Sequence, residues 1–257
     1  MSLPASYAQI LSTVTSNGEL RLALAQVDMP TPGPNEVVIK IEATPINPSD
    51  LGVMFGWSTM TEASTSGSGK DSVLTAPVSP QGMQIMKARI DQSLPVGNEG
   101  AGTVVAAGDG ELARSLMDKV VAVMGGGMYA EYRCVDASMC LPLLAGNTAK
   151  DGASSFINPL TALSMLETMR MEGHTALVHT AAASNLGQML NRICIADGVE
   201  LVNIVRKEEQ AEILRGIGAK YIVNSSSEDF MSELTNAIHA TGATLAFDAT
   251  GGGTLAS

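Results

Sequence analysis

Apolar and polar residues alternate along the first part of the chain. Between Glu19 and Val27, Leu20, Leu22 and Leu24 share one face. After a turn at Pro30, Pro32, Gly33 and Pro34, the alternation resumes with Val37, Ile39, Ile41 and Ala43. A period of two predicts strands, and the polar positions between predict an antiparallel sheet with one exposed face. Pro45 to Asp50 breaks this pattern, with Ser49 or Asp50 placed to cap a short helix. From Ser58 to Lys70 the chain is rich in Ser, Thr and Gly and has no apolar period, which predicts a mobile loop. Met83, Ile85, Met86 and Ile90 predict a short amphipathic helix. Strands are predicted at Thr103–Ala106, Lys119–Val123 and Ala130–Val135, with a tight turn at Gly125-Gly126-Gly127.

The rhythm then changes. A helix is predicted from Asn158 to Met171, followed by the short apolar run Ala176–His179. Leu186, Met189, Leu190, Ile193 and Cys194 next recur at helical spacing. Leu201–Val205, Tyr221–Val223 and Leu245–Phe247 are further strands. Between them lie helices through Glu209–Ile217 and Phe230–Ile238, and Gly251-Gly252-Gly253 follows the last strand. Strands alternating with helices predict a parallel sheet with crossovers. The chain therefore reads as a β-rich domain at 1–155 and an α/β domain at 156–257.

The stretch Ala176–Asp197 organises the second domain. Strand, small-residue turn and helix together aim free N–H groups and a positive helix end at a phosphate. The glycine-rich fingerprint is replaced by Ala182-Ala183-Ser184-Asn185-Leu186-Gly187. An ordinary strand–helix crossover has the same outline. At the end of the next strand the chain reads Val205-Arg206-Lys207, where a site preferring NAD carries a carboxylate for the ribose hydroxyl. An arginine fork suits the 2′-phosphate of NADP instead. The competing reading is a solvated charge paired with Glu208 or Glu209.

Composition narrows the class. The chain has 257 residues, 45% of them hydrophobic, and a formal net charge of −11, which argues against a nucleic-acid backbone as partner. No apolar run approaches a membrane span, and the start lacks the regions of a signal peptide. Cys134, Cys140 and Cys194 have neither zinc-ribbon nor C-x-x-C spacing. A reduced, cytoplasmic protein is the expectation.

Four segments, in order, carry a resemblance. Pro30–Asp50, Val96–Gly108 (VGNEGAGTVVAAG), Asn158–Ala162 (NPLTA) and His179–Gly187 resemble the medium-chain dehydrogenase/reductases. They look most like the zinc-independent quinone-oxidoreductase and enoyl-thioester-reductase branches. The resemblance covers nearly the whole chain except Ser58–Gln92. It implies a GroES-like β domain followed by a Rossmann doubly wound parallel sheet, with NADPH as cofactor and a small-molecule substrate. It places Asn47 and Thr161 near the nicotinamide, with Asn47 as the candidate catalytic residue. Ala183, Ser184, Asn185 and Leu186 belong by the pyrophosphate and ribose, Arg206 by the 2′-phosphate, and Thr250 by the cofactor. The alternative for Asn47 is a turn residue ahead of Pro48.

Departures from the family pattern refine the expectation. Zinc-dependent relatives carry Cys where this chain has Asn47 and His where it has Asn98. An amide is a poor zinc ligand and the four-cysteine structural lobe of those relatives is absent, so neither a catalytic nor a structural zinc is expected. Glu99 then reads as structural, accepting backbone hydrogen bonds in its glycine-rich turn. Enoyl-thioester reductases have a tyrosine proton donor where Ser58 stands, and a hydroxyl of that kind is a far weaker acid. Trp57 beside it lines a substrate pocket or simply packs. His179 carries no expected chemical role. The resulting function is NADPH-dependent hydride transfer to a quinone or activated enone without zinc. An enoyl-thioester reductase, or a non-catalytic NADP-binding sensor or interaction protein, are the alternatives. The sheet as read has four strands where the resemblance implies six, so a longer parent protein or a shortened chain is expected, and a homo-oligomer only with a further C-terminal part.

Overall fold

The structure is a computed structural model that describes residues 3–250. The Gly251-Gly252-Gly253 run that follows the last strand lies outside the described residues. The chain divides into two compact units, Met1–Ile157 and Asn158–Ser257.

The first unit opens with β1 (Ser6–Val14) and β2 (Glu19–Asp28), paired antiparallel along the whole length of β1. The alternation rule misses β1 because its buried positions are Tyr7, Gln9, Ser12 and Val14, two of them polar. Those two have internal partners: Gln9 Nε2 donates to Gly127 O at 3.3 Å and Ser12 Oγ to Met54 O at 2.7 Å. β3 (Glu36–Ala43) follows, then helix α1 (Pro48–Phe55). The cap of α1 is Asn47 rather than Ser49 or Asp50, and Asp50 lies inside the helix, returning its Oδ2 to the Asn47 N–H at 2.7 Å. This reciprocal arrangement satisfies donors the helix itself cannot.

Ser58–Lys70 is not an irregular loop. It contains a 3-10 turn at Met60–Glu62, the start of another at Gly69–Asp71, and β4 (Ser64–Ser66), which pairs antiparallel with β5 (Val73–Pro77). All of β4 is exposed, so its backbone pairing and the Ser64–Thr75 hydroxyl contact at 3.0 Å hold it without an apolar face. Next come α2 (Pro80–Ile85), capped by Ser79, and a 3-10 turn at Lys87–Arg89. Met86 is buried with Val14, Leu20 and Val78, while Ile85 points outward. The predicted helix is thus shorter; Met83 and Ile90 pack against the same cluster as Met86, and Ile85 alone of the four does not.

The remaining elements of this unit are β6 (Ser93–Pro95), β7 (Glu99–Ala107), α3 (Glu111–Ser115), β8 (Val120–Met124), β9 (Tyr132–Asp136), β10 (Cys140–Pro142) and α4 (Ala149–Gly152). They complete two five-stranded sheets, ordered β4-β5-β2-β1-β6 and β10-β8-β7-β3-β9. Val37, Val38 and Ile39 are consecutive and all buried. β3 lies inside its sheet and is covered on both faces there, so the expected half-exposed alternation holds only in its second half.

The second unit contains α5 (Ile157–Met171), β11 (Ala176–His179), α6 (Asn185–Asp197), β12 (Glu200–Val205), α7 (Glu208–Gly216), β13 (Tyr221–Asn224), α8 (Phe230–Thr241) and β14 (Leu245–Phe247). Its strands are all parallel, in the order β13-β12-β11-β14. Leu177 and Leu201 pack on one face with Leu166, Leu190 and Cys194. Val178, Val202 and Ile204 pack on the other with Phe230 and Leu234. Burial on both faces is why these strands read as continuous apolar runs. The order reverses between β11 and β14, and the crevice at such a reversal, beyond the carboxyl ends of the strands, is where α/β sheets bind ligands.

Candidate nucleotide-binding site

β11 is buried along its whole length and ends in His179. The His179 ring is completely enclosed, and neither nitrogen has a hydrogen-bond partner among the described residues. Burial pushes its pKa down to about 4, so the imidazole is neutral near pH 7. It acts as core, as expected.

Thr180 then joins the two strand ends that flank the reversal. Its N–H donates to Phe247 O at 3.2 Å. Its hydroxyl donates to Asp248 Oδ1 at 2.8 Å and accepts the Ala249 N–H at 2.7 Å. The same Asp248 oxygen receives the Thr250 N–H at 3.0 Å and hydroxyl at 2.8 Å. Ala181 follows in the left-handed region at φ 51°, a conformation that costs an L-residue roughly 1–2 kcal/mol. Ala182 is fully buried and donates to Ile204 O at 3.2 Å. Ser184 caps α6, its Oγ accepting the Gly187 N–H at 3.1 Å.

Gly187 is where loop and helix touch. A Cβ there would lie 2.2 Å from Ala182 O and 2.6 Å from Ala182 C. The alanine-rich loop therefore lacks most of the usual glycines but keeps the one that lets the helix start close to its strand.

A cleft of about 640 Å³ opens at these strand ends, entirely within the second unit. Its volume suits a small ligand or cofactor. Thr180, Ala183 and Ser184 form one wall, Asp248 and Thr250 another, and Arg206, Gln210 and Ser225 a third. Arg206 directly follows β12 and is exposed. Its backbone N–H is held by Gln210 Oε1 at 2.9 Å. Among the described residues its guanidinium forms no ion pair; Glu208 is taken instead by Arg215, at 2.6 Å. The suggested pairing of Arg206 with Glu208 is thus not formed.

Of the residues singled out from the sequence, Ala183, Ser184, Arg206 and Thr250 line this one cleft. Asn185 is exposed at the first turn of α6, and Leu186 packs partly buried against the cluster around Leu177 and Leu190. Thr161 is exposed on α5. Asp248, Thr180, Gln210 and Ser225 were not anticipated. The signal for Asp248 and Thr180 was their place one residue beyond two predicted strands; Gln210 and Ser225 had no comparable mark.

Asn47 belongs to the first unit, in a buried polar group. Its Nδ2 donates to Glu99 Oε1 at 2.9 Å. Glu99, fully buried, uses its other oxygen to accept the N–H groups of Phe156 at 2.8 Å and Ile157 at 3.0 Å. Glu99 is therefore an acceptor of backbone N–H groups, but from a distant segment rather than its own turn. Asp50 Oδ1 accepts the Asn98 N–H at 2.8 Å, and Asn98 Nδ2 donates to Ser49 Oγ at 3.0 Å. Tyr129 donates to Pro45 O at 2.9 Å; burial, reinforced by Asp50, raises its pKa. Ser58 Oγ donates to Phe55 O at 2.7 Å. Among the described residues, no three His, Cys, Asp or Glu side chains gather as a metal-binding group, and no helix is long and apolar enough to cross a membrane.

Comparison with known proteins gives the family. The alcohol dehydrogenase GroES-like domain matches residues 33–145. The structure of a candidate NADPH:quinone reductase from Mesorhizobium loti is 30% identical, with a TM-score of 0.73, over 100% of this chain and 70% of that one. The chain belongs to the medium-chain dehydrogenase/reductase superfamily. Its place there is in the branch of quinone oxidoreductases and enoyl reductases. Mitochondrial enoyl-[acyl-carrier-protein] reductase of Xenopus tropicalis is 29% identical over 218 residues, 79% of this chain and 51% of that protein. The synaptic vesicle membrane protein VAT-1 homolog of Rattus norvegicus is 26% identical over 227 residues, 87% of this chain and 48% of that protein. The chain thus spans about half the length of these curated relatives. Its two units are the superfamily's GroES-like β domain and a Rossmann-like parallel sheet.

Proposed function

We propose that this chain binds NADPH in the cleft of its second unit and belongs to an oxidoreductase that reduces a quinone or an activated enone without zinc. The observation that carries the cofactor assignment is Arg206: a guanidinium at the end of β12, on the cleft wall, that forms no ion pair among the described residues. A carboxylate would stand there for a ribose 2′-hydroxyl; an arginine fork with Ser225 beside it on the same wall suits a 2′-phosphate. The cradle fits the rest of a dinucleotide. Ser184 and the start of α6 would face the pyrophosphate, where the N-terminal N–H groups and helix dipole favour negative charge. The crowded contact at Gly187 brings that helix end close. Thr180, Asp248 and Thr250 form a fixed hydrogen-bonded wall for the sugar side.

Bound there, NADPH would supply the hydride, and the protein's part would be to orient donor and acceptor. The relatives named as NADPH:quinone reductases support that chemistry for this chain. The donor set of the first unit supports a zinc-free route. Asn47 offers an amide whose nitrogen is already held by Glu99, and the Glu99 carboxylate is occupied by three N–H groups. Asn47 is then a polar group fixed in place within the first unit and its candidate for contact with substrate or nicotinamide; Thr161 is the candidate of the second unit. Enoyl-thioester reduction is less well supported, because the Ser58 hydroxyl is spent on a backbone carbonyl.

The test is titration of the protein and Arg206→Ala with NADPH and NADH, followed by turnover against quinones, enones and enoyl thioesters. The assignment expects NADPH to bind more tightly, and the variant to lose NADPH affinity by at least about tenfold while NADH changes little. Equal losses for both cofactors would remove Arg206 from its role. Tight NADPH binding with no turnover in the full-length protein would favour a sensor.

A further inference from the structure

The first unit contains a second cleft, of about 410 Å³, at the end of α1. Gly52, Gly56 and Trp57 form one side, and Met86, Arg89 and Gln92 the other. Trp57 is the single tryptophan of the chain, and 58% of it is exposed. Simple packing therefore does not account for it, since a core aromatic of that size is covered. Apolar walls come from Met86 and Leu94.

Arg89 gives this cleft its character. Nη1 donates to Val53 O at 2.9 Å. Nη2 donates to Ser12 O at 3.3 Å and to Ser12 Oγ at 2.8 Å. These acceptors are all neutral. Nε is buried and has no partner among the described residues. The chain has 26 acidic residues against 15 basic ones, yet among the described residues none forms an ion pair with Arg89. The guanidinium is half-buried, and burial lowers its pKa without any charge to oppose the effect. A partly buried cation normally has a counter-charge or lies open to water. Here backbone carbonyls of α1 and β1 and the Ser12 hydroxyl hold the group, taking one hydrogen of Nη1 and both of Nη2, and the second Nη1 hydrogen is the donor this cleft-lining residue keeps for a ligand.

We propose that this cleft binds a small aromatic carboxylate, its ring against Trp57 and Met86 and its carboxylate on Arg89. Planar guanidinium recognises a carboxylate by directed hydrogen bonds. Gln92 is exposed at the rim, its Nε2 already donating to Ala88 O at 2.9 Å. The site lies wholly in the first unit and does not depend on the NADPH assignment.

The experiment uses the full chain and Trp57 as its own reporter. Tryptophan fluorescence is titrated with 3-phenylpropanoate and with 3-phenylpropanamide, which has the same shape and no charge. The expected result is a saturable change with the carboxylate and at least about tenfold weaker binding of the amide. Arg89 ties three segments together, so its removal risks unfolding. Gln92→Glu instead places a like charge at the rim and leaves those ties intact; it should weaken the carboxylate by about tenfold or more. Linear, unsaturable quenching by the carboxylate would overturn the proposal, as would equal affinity for the amide or an unchanged affinity in Gln92→Glu.

Discussion

Replacing Gly187 by alanine is the most direct test of how the nucleotide loop is built. Alanine in a helix is ordinarily better than glycine by roughly 1 kcal/mol. At Gly187 the new methyl would lie 2.2 Å from Ala182 O, whereas ordinary contact begins at 3.4 Å. The shortfall, 3.4 minus 2.2, is 1.2 Å, close to the rise of one helical residue, about 1.5 Å. The neighbour cannot yield easily, because Ala182 is fully buried and its N–H is tied to Ile204 O. Overpacking of this kind costs about 1–3 kcal/mol and sometimes more. Taking the upper end and subtracting the helix gain, Gly187→Ala should lose about 2 kcal/mol in the second unit. Gly216, near the end of α7, is the internal control: a Cβ there meets nothing within 4 Å. Gly216→Ala should therefore gain about 0.5–1 kcal/mol. Urea unfolding followed by far-ultraviolet circular dichroism reads the helices of the second unit. Trp57 fluorescence reads the first unit and should not move in either variant. A Gly187→Ala protein as stable as the parent would refute the close approach of loop and helix.

The other predictions concern charge and burial. Arg206→Ala should separate NADPH from NADH binding by at least about tenfold, measured by calorimetric titration. His179 has a folded pKa of about 4 against about 6.5 when unfolded. In that window the unfolded chain takes up the proton and the folded one does not. The His179 contribution is therefore flat above pH 7, and stability is lost as the pH falls from about 6.5 to 4. Near pH 4.5 the loss is roughly 2–3 kcal/mol, and His179→Leu should unfold with a correspondingly smaller acid dependence in urea; an identical dependence would remove His179 as its source. Glu99→Gln puts an amide where a carboxylate accepts three N–H groups. One of those donors loses its acceptor, so thermal unfolding should report a loss of about 1–3 kcal/mol, and an unchanged midpoint would show the group to be dispensable.

Much of the local structure was legible because it depends on neighbours in sequence. Runs such as Ala176–His179 and Leu245–Phe247 are apolar at consecutive positions because both faces of their sheet are covered, and their bounds in the structure are those read from the residues. Helices α6 to α8 follow from the 3.6-residue recurrence of Leu190, Leu214 and Leu234, all of them buried. Where pattern and burial parted, long-range contacts were responsible. β1 buries Gln9 and Ser12, whose partners lie 118 and 42 residues away. β4 exists because β5 supplies its hydrogen bonds, and no property of Ser64-Thr65-Ser66 announces that.

The same division runs through the site. By itself the sequence determined a strand, a small-residue turn and a helix at Ala176–Asp197, a cation in place of a carboxylate after the next strand, and the family those segments share. These are properties of residue type and spacing, set by backbone geometry and side-chain chemistry over a few residues. Tertiary structure alone decided the strand order that puts β14 beside β11, and so brought Asp248 and Thr250 to Thr180 across the reversal. It also decided that Arg215 takes Glu208 while the Arg206 guanidinium forms no ion pair among the described residues, and that Arg89 lies among neutral acceptors beside Trp57. Which charge is compensated depends on distances between groups far apart in the chain, and those distances exist only once the chain is folded.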